Sequence, residues 1–281
     1  MNERIETIGV LLGDYLVDVA VRIWEPKDSK SAVICIHGFA STSQNFAPLA
    51  ETLIKSGITV IAPDMFGRGQ STFFGRPEAY NLQNQMIAIA VTKRYQKEKT
   101  CHLGSSWGAL LMLLHVATQN WMTSGLILND CPISNDANTN RIGKFLTAEA
   151  TRIFSTWNEA EEYVLKSRRM HFLTGSWKNR YVASMLRKVD DGWRMNYDPS
   201  VIGNLVEKEY SCERLLKEAP KPVLLNFGSD SCYANDPRLI EITRKNPNIT
   251  FLNSMTEAHP PSLMKPDQIL TIAGYLGQCM G

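Results

Sequence analysis

The sequence contains no run of 18 or more apolar residues, so it offers no stretch of the length a membrane-spanning helix needs. Its opening residues, MNERIETIGVLLGDYLVDVAVRIWEP, are broken by charges throughout and lack the apolar centre of a signal peptide. Neither sign of charge is in excess. Thirty Lys and Arg against 28 Asp and Glu leave a formal +2, too weak a field to make nucleic acid or a membrane surface the expected partner. The six cysteines form no C-x-x-C pair and follow no regular spacing, and three fall in or beside apolar runs, which is the usage of a reduced, cytoplasmic protein. There is no H-x-E, H-E-x-x-H or cysteine cluster, so neither a metal nor another cofactor is expected. Internal repeats and low-complexity tracts are absent as well. Function has to be sought in a local site.

What is present is an alternation of strand and helix patterns. SAVICIHG, ITVIAPD, LILNDCP and KPVLLNFG are short continuous apolar runs, suited to strands covered on both faces in a parallel sheet, whereas YLVDVAVRIW alternates like a strand with one exposed face. Helical spacing occupies residues 43–56, 106–118, about 236–245 and about 266–278. The expected class is therefore α/β, with a mostly parallel, doubly wound sheet. From about 136 to 215 the rhythm stops: helical stretches are followed by the turn-rich KVDDGWRMNYDPSV, after which strand and helix resume. An insertion into a sheet fold accounts for this better than a linker between two domains.

Residues 101–110, CHLGSSWGAL, join a short strand to an apolar helix through two serines between two glycines. A nucleophile displayed at the top of a parallel sheet sits on so sharp a strand-to-helix turn that the positions two before and two after it have room only for glycine. Gly104 and Gly108 bracket Ser106; the same test applied to Ser105 meets Leu103 and Trp107. Ser106 is the expected nucleophile. Its proton must go to a base, and His259 in EAHPPSL is the only histidine beyond residue 171. The base in turn needs an orienting acid. Asp230, just past KPVLLNFG, is the first choice, and Asp130, at the end of LILND, is the alternative. Two N–H donors for an oxyanion are expected from the Trp107 backbone and from Phe39 in the H-G-F-A-S loop, where His37 reads as a structural residue of the turn.

With these residues in place the sequence resembles an α/β-hydrolase over nearly its whole length. The motifs are H37-G38-F39-A40, D64-M65-F66-G67-R68-G69-Q70-S71, G104-S105-S106-W107-G108, then G228-S229-D230 and A258-H259. D-x-x-G-x-G-x-S is the most specific of them, with a structural role. The resemblance implies eight strands, a core of residues 1–133 and 216–281, and a helical lid over 134–215. The chain departs from the common pattern in Ala258, where glycine usually precedes the histidine, and in Ala109. Its S-W-G elbow is similar to that of prolyl aminopeptidases, whose H-G-G-P-G is H-G-F-A-S here. Haloalkane dehalogenases and epoxide hydrolases, which use an aspartate nucleophile, are set aside.

Segment 141–194 carries an excess of five positive charges and three of the six tryptophans, Trp157, Trp177 and Trp193. Trp157 and Trp177 are expected to face a substrate pocket, with Arg168 or Arg169 available to a carboxylate. The expected partner is a small acyl compound, and the expected reaction is hydrolysis of a carboxylic ester through an acyl-enzyme. Carbon–carbon hydrolysis of a diketone-like acid, amide hydrolysis, acyl transfer and ligand binding with little turnover are the alternatives.

Overall fold

The apolar runs become buried strands because helices cover both sides of them. The structure, a computed structural model, describes residues 2–119, 122–132, 137–203, 212–219, 222–255, 257 and 259–281. In chain order the elements are β1 (Glu3–Leu12), β2 (Tyr15–Trp24), β3 (Ser31–Ile36), α1 (Ala47–Leu53), β4 (Ile58–Pro63), α2 (Leu82–Ala90), β5 (Lys99–Ser105), α3 (Trp107–Thr118), β6 (Gly125–Asn129), α4 (Ala137–Ala150), α5 (Trp157–Ser167), α6 (Gly175–Met185), β7 (Leu186–Val189), β8 (Gly192–Met195), α7 (Glu213–Glu218), β9 (Val223–Gly228), α8 (Pro237–Lys245), β10 (Ile249–Met255) and α9 (Pro266–Met280). Eight strands form one sheet in the order β1-β2-β4-β3-β5-β6-β9-β10. β1 and β2 pair antiparallel, as do β2 and β4; the remaining pairs are parallel.

The two faces divide each strand by its period of two. Val33 and Cys35 of β3 belong to the apolar cluster that includes α1 and α9, while Ala32, Ile34 and Ile36 belong to the cluster on the other face, with α2, α3, α7 and α8. Leu126 and Leu128 of β6 point to one side and Ile127 to the other. Both sets are buried, which is why these segments read as unbroken apolar runs rather than alternating ones.

Between β6 and β9 the chain leaves the sheet for α4, α5, α6 and the β7/β8 hairpin. Helix α5 starts where Thr156 accepts the Glu159 amide and the Glu159 carboxylate reaches back to the Ser155 amide. The insertion has no separate core: Leu146, Phe154, Val164, Val182, Met185 and Met195 join the apolar cluster on one face of the sheet. It is also laced to the loop after β4, with Gly69 N donating to Asn196 O and Asp198 N to Gly67 O, while Asp198 accepts from Tyr80 and from the Gly75 amide.

Two sequence expectations change here. The stretch read only as turn-rich contains the hairpin, turning at Asp190–Asp191 with Gly192 at φ 142°, where a side chain would overlap the Phe154 carbonyl. The expected insertion boundary at 215 also falls inside α7, which packs on α3 and α8 of the core. Residues 134–136 and 204–211 of the expected insertion lie outside the described residues.

Candidate active site

Ser106 sits between the end of β5 and the start of α3 at φ 53° and ψ −121°, a conformation that costs a non-glycine residue on the order of 1–3 kcal/mol. The bracketing glycines are a steric necessity. A Cβ on Gly104 would overlap the Ala109 Cα and the Gly108 carbonyl, and one on Gly108 would overlap the carbonyls of Ile36 and His37. The Ser106 amide donates to Asn129 O at 2.8 Å, tying the turn to β6. Ser105 faces elsewhere: its hydroxyl accepts from Asn129 Nδ2 at 2.9 Å. Of the two serines, the structure brings Ser106 to the histidine.

Ser106 Oγ lies 2.7 Å from His259 Nε2. On the other side of the ring, His259 Nδ1 lies 2.9 Å from Oδ1 of Asp130, whose side chain is fully buried. The acid beside the histidine is thus Asp130, and the first choice, Asp230, is corrected. Asp130 follows β6 directly and takes a positive φ of 56°, with its amide donating to Asn226 O, so its carboxylate turns in over the strand ends. Asp230 lies two residues beyond β9, exposed, its amide bonded to Glu257 O and its carboxylate meeting the neighbouring Ser229 hydroxyl at 3.4 Å. The turn after β9 contributes Ser231 instead: its hydroxyl donates to Asp130 Oδ1 at 2.5 Å, while the Gly228 amide donates to Oδ2 at 3.3 Å. The Tyr233 ring packs edge-on against the His259 ring, 4.8 Å between centroids. Ala258 lies outside the described residues.

Beneath this row runs a buried amide network that sequence reasoning missed. Asn129 Nδ2 donates to Ser105 Oγ and to Pro261 O, each at 2.9 Å, and Asn129 Oδ1 accepts from Asn226 Nδ2 at 2.6 Å. The network joins β5, β6 and β9 to the loop that carries His259. An asparagine within each of two buried apolar strands, after LIL and after LL, was the available signal.

The loop after β3 lies against the elbow, with the Cα of Gly38 close enough that an added methyl would stand 3.8 Å from Ser106 Cβ. His37 is structural, as expected. Its Nε2 accepts from the Met65 amide, its Nδ1 contacts Gly38 O at 2.7 Å, and burial lowers its pKa to about 4, so it stays neutral. Asp64 of the D-x-x-G-x-G-x-S stretch accepts from the amides of Ser43 and Gln70, and the Ser71 hydroxyl links Asp64 O to the Ala20 amide. Arg68 is buried to 1% exposure beneath the rings of Phe39 and Trp107, 4.6 and 4.7 Å from their centroids, and donates to Phe39 O at 2.9 Å. Burial pulls its pKa down to about 9. The motif's arginine thereby fixes both residues expected to supply oxyanion donors.

A cavity of about 290 Å³ opens over Ser106 and His259, between the strand ends and α4 to α6. Phe39, Phe46, Met170, Tyr181, Met185 and Leu263 give it a largely apolar lining. Arg168 and Arg169 both line it; Trp157 and Trp177 do not. Trp157 packs edge-on against Trp193 at 4.7 Å and donates to Glu161, and Trp177 packs at the seam of insertion and sheet under the Arg180 guanidinium. These tryptophans serve packing because an insertion without a core of its own needs bulky apolar contacts with the sheet domain. Arg168 is committed as well. It donates to both carboxylate oxygens of the buried Glu149, at 2.8 and 2.6 Å.

Residues 27–226, well over half of the chain, match the serine aminopeptidase S33 family. The chain belongs to that family. A serine hydrolase-like protein of Dictyostelium discoideum is 22% identical over 76% of this chain. The chain spans 64% of that relative's length. Among solved structures, a putative hydrolase from Rickettsia typhi superposes with a TM-score of 0.85 at 19% identity, covering 99% of each chain. An α/β-hydrolase from Novosphingobium aromaticivorans superposes with a TM-score of 0.80 at 22% identity, covering 98% of each. The fold is that of the α/β-hydrolases. The family carries an aminopeptidase name although the H-G-F-A-S loop departs from the prolyl aminopeptidase pattern. Among the described residues no helix is long and apolar enough to cross a membrane.

Proposed function

We propose that this family member is a serine hydrolase that cleaves a small carboxylic ester or related acyl compound through an acyl-enzyme. The observation that carries the reading is the continuous line from Ser106 Oγ through both nitrogens of His259 to the buried carboxylate of Asp130. In the first step the Ser106 oxygen attacks the carbonyl carbon while His259 Nε2 takes the hydroxyl proton. The imidazolium so formed faces Asp130. At an effective dielectric of about 20, opposite charges about 4 Å apart attract by roughly 4 kcal/mol. That magnitude is worth about three powers of ten in rate. The backbone N–H groups of Phe39 and Trp107 receive the oxyanion, and the N-terminus of α3 adds its dipole. His259 then passes the proton to the leaving group, and a water activated by the same nitrogen releases the acid.

The largely apolar cavity supports an acyl chain rather than an extended polar polymer. The test is labelling by a fluorophosphonate, mapped to a peptide, together with turnover of p-nitrophenyl esters. Ser106→Ala is expected to abolish both. Esterase activity in Ser106→Ala equal to that of the parent would overturn the mechanism, and stoichiometric labelling without turnover would favour a binding protein.

A further inference from the structure

Four charged side chains besides His259 border the cavity or its lining: Arg168, Arg169 and Glu257, with Glu149 behind Arg168. Three of them are neutralised within the protein. Burial disfavours the Arg168 charge, but the Glu149 carboxylate outweighs this and raises its pKa, so the pair is a fixed ion pair. Glu257 accepts from Gln268 and from the Ser262 amide and pairs with Lys265 at 2.9 Å; burial alone would raise its pKa, and these partners hold it below the usual range. Arg169 is different. Among the described residues its guanidinium has no ion pair or hydrogen bond, although its backbone is fixed at φ 56° by a hydrogen bond from its amide to Lys166 O.

The cavity lining therefore carries one positive charge that no described residue compensates, on Arg169, which lines the cavity while remaining exposed to solvent. An exposed guanidinium at the edge of a largely apolar cavity, with no partner of its own, is free to hold a carboxylate with two parallel hydrogen bonds. We infer that Arg169 is the anion-recognising residue of this cavity and that the acyl compound it takes carries a carboxylate remote from the bond that is broken. This rests on the acyl-hydrolase reading for the bond broken, but not for the anion site itself. It also separates the two arginines that the sequence could not: Arg168 holds Glu149, and Arg169 faces the ligand.

The test compares kcat/KM for mono-p-nitrophenyl glutarate with that for p-nitrophenyl pentanoate at pH 7 and low salt, in the full chain. The parent is expected to prefer the anionic ester by about tenfold or more. The ratio should fall toward one in Arg169→Met and Arg169→Gln, stay intermediate in Arg169→Lys, and shrink for the parent in 0.5 M NaCl as screening takes hold. Lys188→Met, a charge loss outside the cavity, should keep the parent ratio. A parent ratio of one or less, or a ratio unchanged in both neutral variants, would overturn the inference. If neither ester turns over and Ser106 resists the fluorophosphonate, the hydrolase reading fails on its own. Free glutarate then decides the anion site: it should raise the melting temperature of the parent and not of Arg169→Met, and no rise in the parent would overturn it.

Discussion

The ends of β6 and β9 are near copies in sequence terms and opposites in the structure. Each is a buried apolar strand that contains an asparagine and is followed within two residues by an aspartate, LILND and LLNFGSD, and each aspartate satisfies the chain-order requirement for an acid lying between nucleophile and base. Yet Asp130 is buried against His259 and Asp230 is exposed in a turn. The difference is one of offset. Asp130 is the first residue after its strand and takes a left-handed backbone that folds its carboxylate back over the sheet, whereas β9 runs two residues beyond Asn226, the partner of Asn129, and Ser229 then precedes Asp230, which lies past the rim. The second strand end still takes part, through the Ser231 hydroxyl and the Gly228 amide that hold the carboxylate supplied by the first.

Exchanging the acids for amides should split the two ends most widely. Asp130 Oδ1 stands 2.9 Å from His259 Nδ1, and its carboxylate accepts from two donors, the Ser231 hydroxyl on Oδ1 and the Gly228 amide on Oδ2. An asparagine there loses the charge that favours the imidazolium and sets an NH₂ group against at least one of those donors. Asp130→Asn is expected to lower kcat by about 10⁴, the scale seen when an orienting aspartate becomes an amide in a serine triad. Asp230→Asn should leave kcat/KM near that of the parent. Steady-state ester kinetics on both variants decide between the acids: a large loss confined to Asp230→Asn would restore the first choice made from sequence.

Much of this site was legible before any coordinates, and the legible part has a common cause. The glycines at 104 and 108, the D-x-x-G-x-G-x-S stretch and the apolar runs are dictated by backbone sterics and by burial on two faces, which act within a few residues and leave a mark on the sequence. The acid was harder. Which of two strand-end aspartates reaches the histidine depends on strand length and on a single positive φ at Asp130, and no residue type announces that. Arg168 and the tryptophans of the insertion were illegible for another reason: the same composition serves a ligand wall or internal packing, and only Glu149 and Trp193, far apart in sequence from their partners, decide the matter. The hairpin at Asp190–Asp191 was recoverable in principle, since D-G between short apolar segments is a turn signal.

A smaller effect is expected at the second strand end. The Ser231 hydroxyl bonds to Asp130 Oδ1, the oxygen nearest the histidine, and so fixes the carboxylate without touching substrate. Hydrogen bonds to charged groups contribute about 1.5–3 kcal/mol, but Asp130 is charged throughout the reaction, so only part of that loss reaches the transition state. Ser231→Ala should lower kcat by roughly tenfold, about 1.4 kcal/mol, with little change in KM. Ser231→Thr, which keeps the hydroxyl, should recover most of it. Equal losses in both variants would mean that the position matters for packing alone.

The smallest effect on rate belongs to Ser105, and it separates stability from catalysis at the first strand end. Both hydrogens of the Asn129 amide group are engaged, one on Ser105 Oγ and one on Pro261 O, in a side chain with no exposure. Ser105→Ala removes the first acceptor and leaves a buried N–H unmade, a cost of about 1–3 kcal/mol. The second hydrogen bond, which steadies the loop carrying His259, is untouched. Ser105→Ala is therefore expected to unfold at a temperature lower by a few degrees while keeping most of its activity below that temperature. Thermal unfolding and ester turnover on the same preparation read the two separately. A large drop in kcat at an unchanged unfolding temperature would mean that Ser105 shapes the elbow directly, and the inequivalence of the paired serines would then be one of degree.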